Sequence, residues 1–298
     1  MAEQIPLSDS ASAVDPEVDA ARNDKTHEIA PALAYRRLGI VNVIFVGRPG
    51  AGDRQWVLVD TGIPGTKGFI KSAAEERFGR NARPAAIVMT HGHFDHIGAL
   101  EDLAEEWDVP VYAHSLEHPY LDGKASYPPG DSSVGGGAMA ALARLYPRGP
   151  VNVAARLKSL PDDGSIPGMP DWRWLHTPGH SVGHVSFWRE SDRAIIAGDA
   201  FVTTDQESAY AVALQKAQMH GPPMYYTVEW DKAKSSVEKL ASLEPDLVVT
   251  GHGAAMQGPE MRDALHALAR DFDRIAVPTQ GIYLKEPARA EDGSAYRH

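Results

Sequence analysis

His91-Gly92-His93-Phe94-Asp95-His96 is the stretch on which the reading of this chain turns. It follows the apolar run 85–89 and leads into 94–107, where Ile97, Leu100, Leu103 and Ala104 recur at helical core spacing, so it sits at a strand-to-helix turn. Two residues apart in extended backbone, His91 and His93 can point the same way. Gly92 lets the chain turn tightly between them. Asp95 and His96 are expected to open the helix and reach a second point nearby, while Phe94 packs inward. Imidazoles and carboxylates without thiolate suit zinc, iron or manganese. The bland alternative is a surface cluster of histidines.

The same texture extends on both sides. Strands are expected at 40–46, 56–59, 85–89, 109–113, 172–176, 184–188, 194–196 and 247–249, and helices at 66–78, 94–107, 228–243 and 259–272. Most apolar runs end in Gly, Asp or His: Asp60-Thr61-Gly62, Gly198-Asp199 and Thr250-Gly251-His252. A faint repeat is visible, with 87–93 echoed by 247–253 and 57–62 echoed by 194–200. Two such halves face to face would place four polar strand ends on one rim. That satisfies a prior of about two units of 150 residues without two separate domains. Segment 121–153, with Tyr127-Pro128-Pro129-Gly130 and Gly135-Gly136-Gly137 around a short helix at 138–146, reads as an inserted, lid-like excursion.

Composition narrows the classes. The 298 residues contain no Cys, which excludes a disulfide framework, a thiolate metal site and a cysteine nucleophile. A formal charge of −11 disfavours nucleic acid as a partner, because phosphate binding needs clustered Lys and Arg. Residues 1–30 carry seven acids against Arg22 and Lys25, with no basic start or apolar stretch of a signal peptide. They are expected to form a solvated, flexible arm, or else a segment draped on a partner. No apolar run approaches the roughly 18 residues of a membrane span, so a soluble cytoplasmic protein is expected. The division is then an arm at 1–30, a domain at 31–275 and a C-terminal tail at 276–298.

The motifs Asp60-Thr61-Gly62, His91-Gly92-His93-Phe94-Asp95-His96, Thr177-Pro178-Gly179-His180, Gly198-Asp199 and Gly251-His252 fall in the order found in the metallo-β-lactamase-fold hydrolases, which this sequence resembles from about 40 to 272. The resemblance implies an α/β fold, a four-layer αββα sandwich with its site on one rim. It also implies one metal held by His91, His93 and His180, a second held by Asp95, His96 and His252, and Asp199 bridging both. Two divalent ions, zinc before iron or manganese, would share a hydroxide that attacks a carbonyl. Asp95 or Asp199 would orient it and pass a proton to the leaving group. Asp60 would accept a proton from a metal-bound imidazole and fix its tautomer.

Bridging Asp199 resembles the lactonase and hydroxyacylglutathione hydrolase branches. Val202, however, stands where some lactonases place a catalytic Tyr, and no basic glutathione-binding pattern follows Gly258. Segment 121–153 would offer Tyr127, Met139, Leu142, Leu145 and Tyr146 as an apolar wall, ranking a small lactone or ester above a thioester and a thioester above a phosphodiester. Two other classes remain: a mononuclear iron enzyme resembling persulfide dioxygenases, using His91, His180 and Asp199, and a non-catalytic metal-binding partner protein. His114, His176 and His184 are expected to be packed or supporting imidazoles, and His118, His220 and His266 ordinary. Met224, Tyr225, Tyr226 and Trp230, after Gly221–Pro223, read as an exposed apolar patch and a possible homodimer surface.

Overall fold

The computed structural model describes residues 4–20, 22–134, 141–204 and 217–297. The first sheet has seven strands in the spatial order His27–Ala30, Leu33–Leu38, Val41–Val46, Val57–Val59, Ala86–Val88, Val111–Ala113 and Leu157–Ser159. Its first four strands pair antiparallel and its last four pair parallel. The second sheet runs Met256–Gln257, Leu247–Thr250, Ala194–Gly198, Val185–Arg189 and Arg173–His176, with only Ala194–Gly198 and Leu247–Thr250 parallel.

Alternation along the strands sorts side chains into layers. Ile44, Val46, Val57 and Val59 face Val185, Phe187, Ile196 and Val249 across the inter-sheet core. Val43, Phe45 and Leu58 face outward onto the helices Lys67–Phe78 and Leu100–Trp107. Ile195, Ala197 and Val248 face outward onto Trp230–Ala241 and Gly258–Arg270. The result is the αββα sandwich that the motif order implied. Strands Val57–Val59 and Ala86–Val88 of one sheet, and Ala194–Gly198 and Leu247–Thr250 of the other, all deliver polar residues just past their C-terminal ends.

Three expectations fail. The helix after the histidine stretch begins at Leu100, not Phe94, so Asp95 and His96 lie in a turn. The His96 carbonyl accepts from the backbone N–H and hydroxyl of Thr61, and Gly98 N–H donates to Gly62, which removes the bonds an earlier helical turn would use. The acidic arm is not solvated either. Ile5–Pro6 pairs with Gln218–Met219, His27–Ala30 is an edge strand, and Leu7, Ala11, Ala13 and Ile29 are buried. Two of its acids meet arginines: Arg22 pairs with Asp24 and Glu28, and buried Arg77 reaches Glu28 at 2.7 Å.

The third failure is the dimer patch, since Met224, Tyr225, Tyr226 and Trp230 are buried in the core outside the second sheet. Apolar residues between a loop and a helix read alike from sequence whether they face water or the core, and here they face the core. The C-terminal tail also docks. Tyr120 donates its hydroxyl to Ala295 O at 2.9 Å and Tyr296 to Leu116 O at 3.0 Å. Among the described residues, no helix is long and apolar enough to cross a membrane.

Candidate metal centre

The rim collects His91, His93, Asp95, His96, His180, Asp199 and His252, each at most 4% exposed. Ligand-type atoms converge in three overlapping groups: His91 with His93 and His180, His91 with His96 and Asp199, and Asp95 with His96 and His252. Asp199 lies between the outer groups, with Oδ2 3.5 Å from His180 Nε2 and 3.0 Å from His252 Nε2, and Oδ1 3.6 Å from His96 Nε2.

The imidazoles are anchored from behind. His96 Nδ1 lies 2.8 Å from Asp60 Oδ2, His252 Nδ1 2.7 Å from Ile40 O, His91 Nδ1 3.0 Å from Thr90 Oγ1 and His180 Nδ1 3.3 Å from Thr227 Oγ1. With Nδ1 engaged outward, each Nε2 turns toward the centre. Asp60 is held in turn by the Thr90 N–H and hydroxyl at 2.8 and 2.7 Å. His184 accepts the Asp199 N–H at Nε2 (2.9 Å) and reaches Thr177 O through Nδ1 (3.0 Å), so it sets the position of the Asp199 backbone.

His91 Nε2, His96 Nε2 and Asp199 Oδ1 are buried and make no hydrogen bond. Orphaned lone pairs of this kind, converging in a buried cluster, fit a divalent cation better than they fit water-free packing. Burial pushes His91 and His93 well below the ordinary imidazole range and His180 down to about 3, so these rings stay neutral and ready to ligate. Burial also opposes charge on His96 and His252, but Asp199 outweighs it and holds both above the ordinary value, with Asp60 helping at His96. Asp199 itself is held well below the usual carboxylate range, since His252 and His96 overcome its burial.

Close packing fixes these loops. Gly198 adopts φ +56°, and a Cβ there would sit 2.6 Å from His184 Nε2. A Cβ on Gly251 would collide with Asp199 Oδ1. One supporting residue had no sequence signal at all. Glu117 is fully buried, taking hydrogen bonds at Oε2 from Gly92 N–H (3.0 Å) and the Tyr127 hydroxyl, and at Oε1 from Ser181 Oγ (2.8 Å) and Gly183 N–H (2.9 Å). It thereby ties the loop of His91 and His93 to the loop of His180. Nothing around Leu116–His118 resembles a motif, so only the fold reveals it.

The expected apolar wall is redistributed. Tyr127 is buried, 4.3 Å from the His93 ring and bonded to Glu117, so it supports the loop and is not a movable wall. Tyr146 is half-buried and stacks on Phe94 at 5.2 Å. Leu142 and Leu145 face solvent, and Met139 lies outside the described residues. Beside Phe94 opens a cavity of about 430 Å³ lined by Pro64, Phe94, Ile97, Asp102, Arg148 and Val151 among others. Of the remaining histidines, His114 and His176 stack at 4.2 Å and His184 is wholly buried. His220 is buried, with Nδ1 3.0 Å from Gly221 O, and His266 pairs with Glu244 at the surface.

Comparison with known proteins agrees with this fold. A family model described as the metallo-beta-lactamase superfamily matches residues 36–252. The chain is 42% identical over 256 residues to "Probable metallo-hydrolase YflN" of Bacillus subtilis (strain 168), covering 86% of this chain and 97% of that one. It is similar to the solved structure of TTHA1623 in a di-iron-bound form, with TM-score 0.51 and 26% identity over 77% of this chain and 92% of that one. A beta-lactamase domain protein from Burkholderia ambifaria shares the fold, with TM-score 0.60 and 22% identity over 87% of this chain and 78% of that one.

Proposed function

This chain belongs to the metallo-beta-lactamase superfamily, and on that footing we propose that it is a two-metal hydrolase of small lactones or esters ahead of thioesters. The observation that carries the reading is the set of orphaned lone pairs on His91, His96 and Asp199 inside a buried cluster of five histidines and two aspartates. His91, His93 and His180 would hold one ion, Asp95, His96 and His252 the other, with Asp199 between them. Divalent ions bound there supply Lewis acidity, which brings the pKa of water to about 7 and polarises a carbonyl oxygen.

The chain's own groups then manage position and protons. Asp95 accepts the proton that the attacking water loses and returns it to the leaving oxygen or sulfur. Water's oxygen bonds to the acyl carbon, the bond to the leaving atom breaks, and an acid and an alcohol or thiol result. Asp60 and Ile40 O hold His96 and His252 in one tautomer throughout. The cavity beside Phe94 has the volume for a small acyl or alkyl part and is partly apolar. A net charge of −11 weighs against a polynucleotide phosphodiester.

The test is metal analysis followed by a substrate screen of zinc- and manganese-loaded protein against lactones, aryl esters, thioesters and phosphodiesters. Two ions per chain with turnover of γ-lactones or 4-nitrophenyl esters is the expected result. One iron per chain with oxygen consumption would replace this reading by the mononuclear dioxygenase, and best turnover on a phosphodiester would overturn the substrate class.

A further inference from the structure

The C-terminal tail touches the surroundings of one metal triad and not of the other. Its Tyr283, Ala288 and Ala295 pack with Tyr127, Val182 and Val228 in a small apolar cluster, separate from the three larger cores. Tyr127 stands against His93, with ring centroids 4.3 Å apart, and Val182 follows His180 by two residues. The tail therefore shares a core with both of the loops that supply His91, His93 and His180.

Hydrogen bonds make the same link. Glu117, which joins Gly92 to Ser181 and Gly183, sits on one short turn, Ser115–Glu117, ahead of the four-residue helix His118–Leu121. Elements this short do not persist without tertiary support. The tail grips them on both sides of Glu117. Tyr296 donates to Leu116 O at 3.0 Å, and Tyr120, stacked on Tyr127 at 3.8 Å, donates to Ala295 O at 2.9 Å. On the His180 side, Ala288 N–H donates to Val228 O at 3.2 Å and Arg289 Nε to Glu229 Oε1 at 3.0 Å. Val228 and Glu229 in turn both give their N–H to Gly179 O at 3.0 Å, and Thr227 Oγ1 lies beside His180 Nδ1. The other triad is fastened from the first sheet. His96 leans on Asp60 and His252 on Ile40 O, while Asn42 N–H donates to Gly251 O at 2.8 Å. Among the described residues, no hydrogen bond joins the tail to Asp60, Ile40 or Asn42.

We infer that the tail, residues 276–297, is a positioning element for the metal site of His91, His93 and His180. The assignment rests on the two-metal reading above. Two separate loops must be ordered before three imidazoles can meet one ion, and that cost is subtracted from affinity unless the protein has met it beforehand. The tail meets it through Glu117 on the side of His91 and His93, and through Gly179 on the side of His180. Releasing the tail lets these loops part. The 91–96 loop stays pinned at its far end, where Thr61 bonds the His96 carbonyl, so the slack at Gly92 does not reach Asp95 and His96.

Ala295 is wholly buried, so Ala295→Glu expels the tail from its cluster without touching the rim. The His252→Ala background keeps the triad of His91, His93 and His180. There, Ala295→Glu should weaken zinc binding about tenfold to a hundredfold, measured by competition with a chelator of known affinity. The His180→Ala background keeps Asp95, His96 and His252, and there the same substitution should change the constant by less than about threefold. Circular dichroism should show the fold retained. With two ions in the wild type, equal weakening in both backgrounds, none in the first, or a background that binds no zinc overturns the assignment. Should Ala295→Glu not fold, Tyr120→Phe with Tyr296→Phe removes only the two hydroxyl tethers. That pair should cost about threefold to tenfold with the same selectivity, and a loss below about twofold overturns the assignment. If elemental analysis finds one ion in the wild type, the two-metal reading fails by itself. The His252→Ala comparison then decides for the tail: the expected weakening upholds it, and equal constants or no binding overturn it.

Discussion

The rim is assembled in two unlike ways. The N-terminal half supplies His91, His93, Asp95 and His96 from one six-residue loop, whereas the C-terminal half supplies His180, Asp199 and His252 from three separate loops. The first set is adjacent in sequence, with Gly92 between two histidines, and its loop is then pinned by Thr61 at the His96 carbonyl. The second is positioned by topology, because Ala194–Gly198 and Leu247–Thr250 run parallel and end side by side. Electrostatics divide the histidines differently: His91, His93 and His180 are held neutral by burial, while Asp199 keeps His96 and His252 above their ordinary value. A compact motif and a long-range convergence can build one centre, and they should fail differently.

The sharpest way to break this contrast is His91→Ala combined with His93→Ala. Loss of two groups from the local loop should reduce turnover on the order of a thousandfold or more, while circular dichroism shows the fold retained. Wild-type turnover in that variant would refute the metal-centred mechanism. Asp199→Asn attacks the topological half and should cost about a hundredfold in rate, with preferential loss of one of the two ions by elemental analysis. Retention of both ions and of full rate would place Asp199 outside the metal shell.

Behind the loop, Asp60→Asn should weaken metal binding by about tenfold to a hundredfold, since His96 Nδ1 then faces an amide that can donate as well as accept. Competition with a chelator of known affinity measures it, and an unchanged constant would deny Asp60 its tautomer role. The smallest effect concerns the chelator-treated protein. His91, His93 and His180 titrate in the folded state below the 6.5 of the free ring, so the unfolded chain takes up protons first and stability falls as pH drops below that value. His96 and His252 titrate above it, so their contribution is complete below 6.5 and is lost as pH rises through their folded values. The melting temperature should therefore pass through a maximum close to pH 6.5 and decline by a few °C per pH unit on either side. A flat profile between pH 5 and 8 would erase the distinction between the two histidine sets.

This contrast also explains what could be read in advance. The loop 91–96 declares itself because its ligand types are adjacent, and Asp60-Thr61-Gly62, Gly198-Asp199 and Gly251-His252 mark strand ends by their change of polarity. The alternation of strands such as Val41–Val46 gave the sandwich its layers. The strand His27–Ala30 was not legible, because it is fixed by pairing with Leu33–Leu38 and by the reach of distant Arg77 to Glu28. Tyr226 looked like surface for the same reason: only the approach of His93 and Gly130 from distant segments shows it to be enclosed. Glu117 bonds Gly92, Ser181 and Gly183 at separations no local pattern encodes.

The glycines at the rim bear on how such a protein can diversify. At Gly198 and Gly251 any side chain would strike His184 or Asp199, so random mutation there yields inactive progeny whatever the selection imposed. Positions such as Leu142 and Leu145, exposed on the excursion, accept change at almost no cost to folding. Inheritance is thus split: the rim is locked by atoms too crowded to vary, while exposed positions of the excursion are free to drift. Libraries built on 142 and 145 would mostly keep the fold, and libraries built on the rim would mostly explore loss.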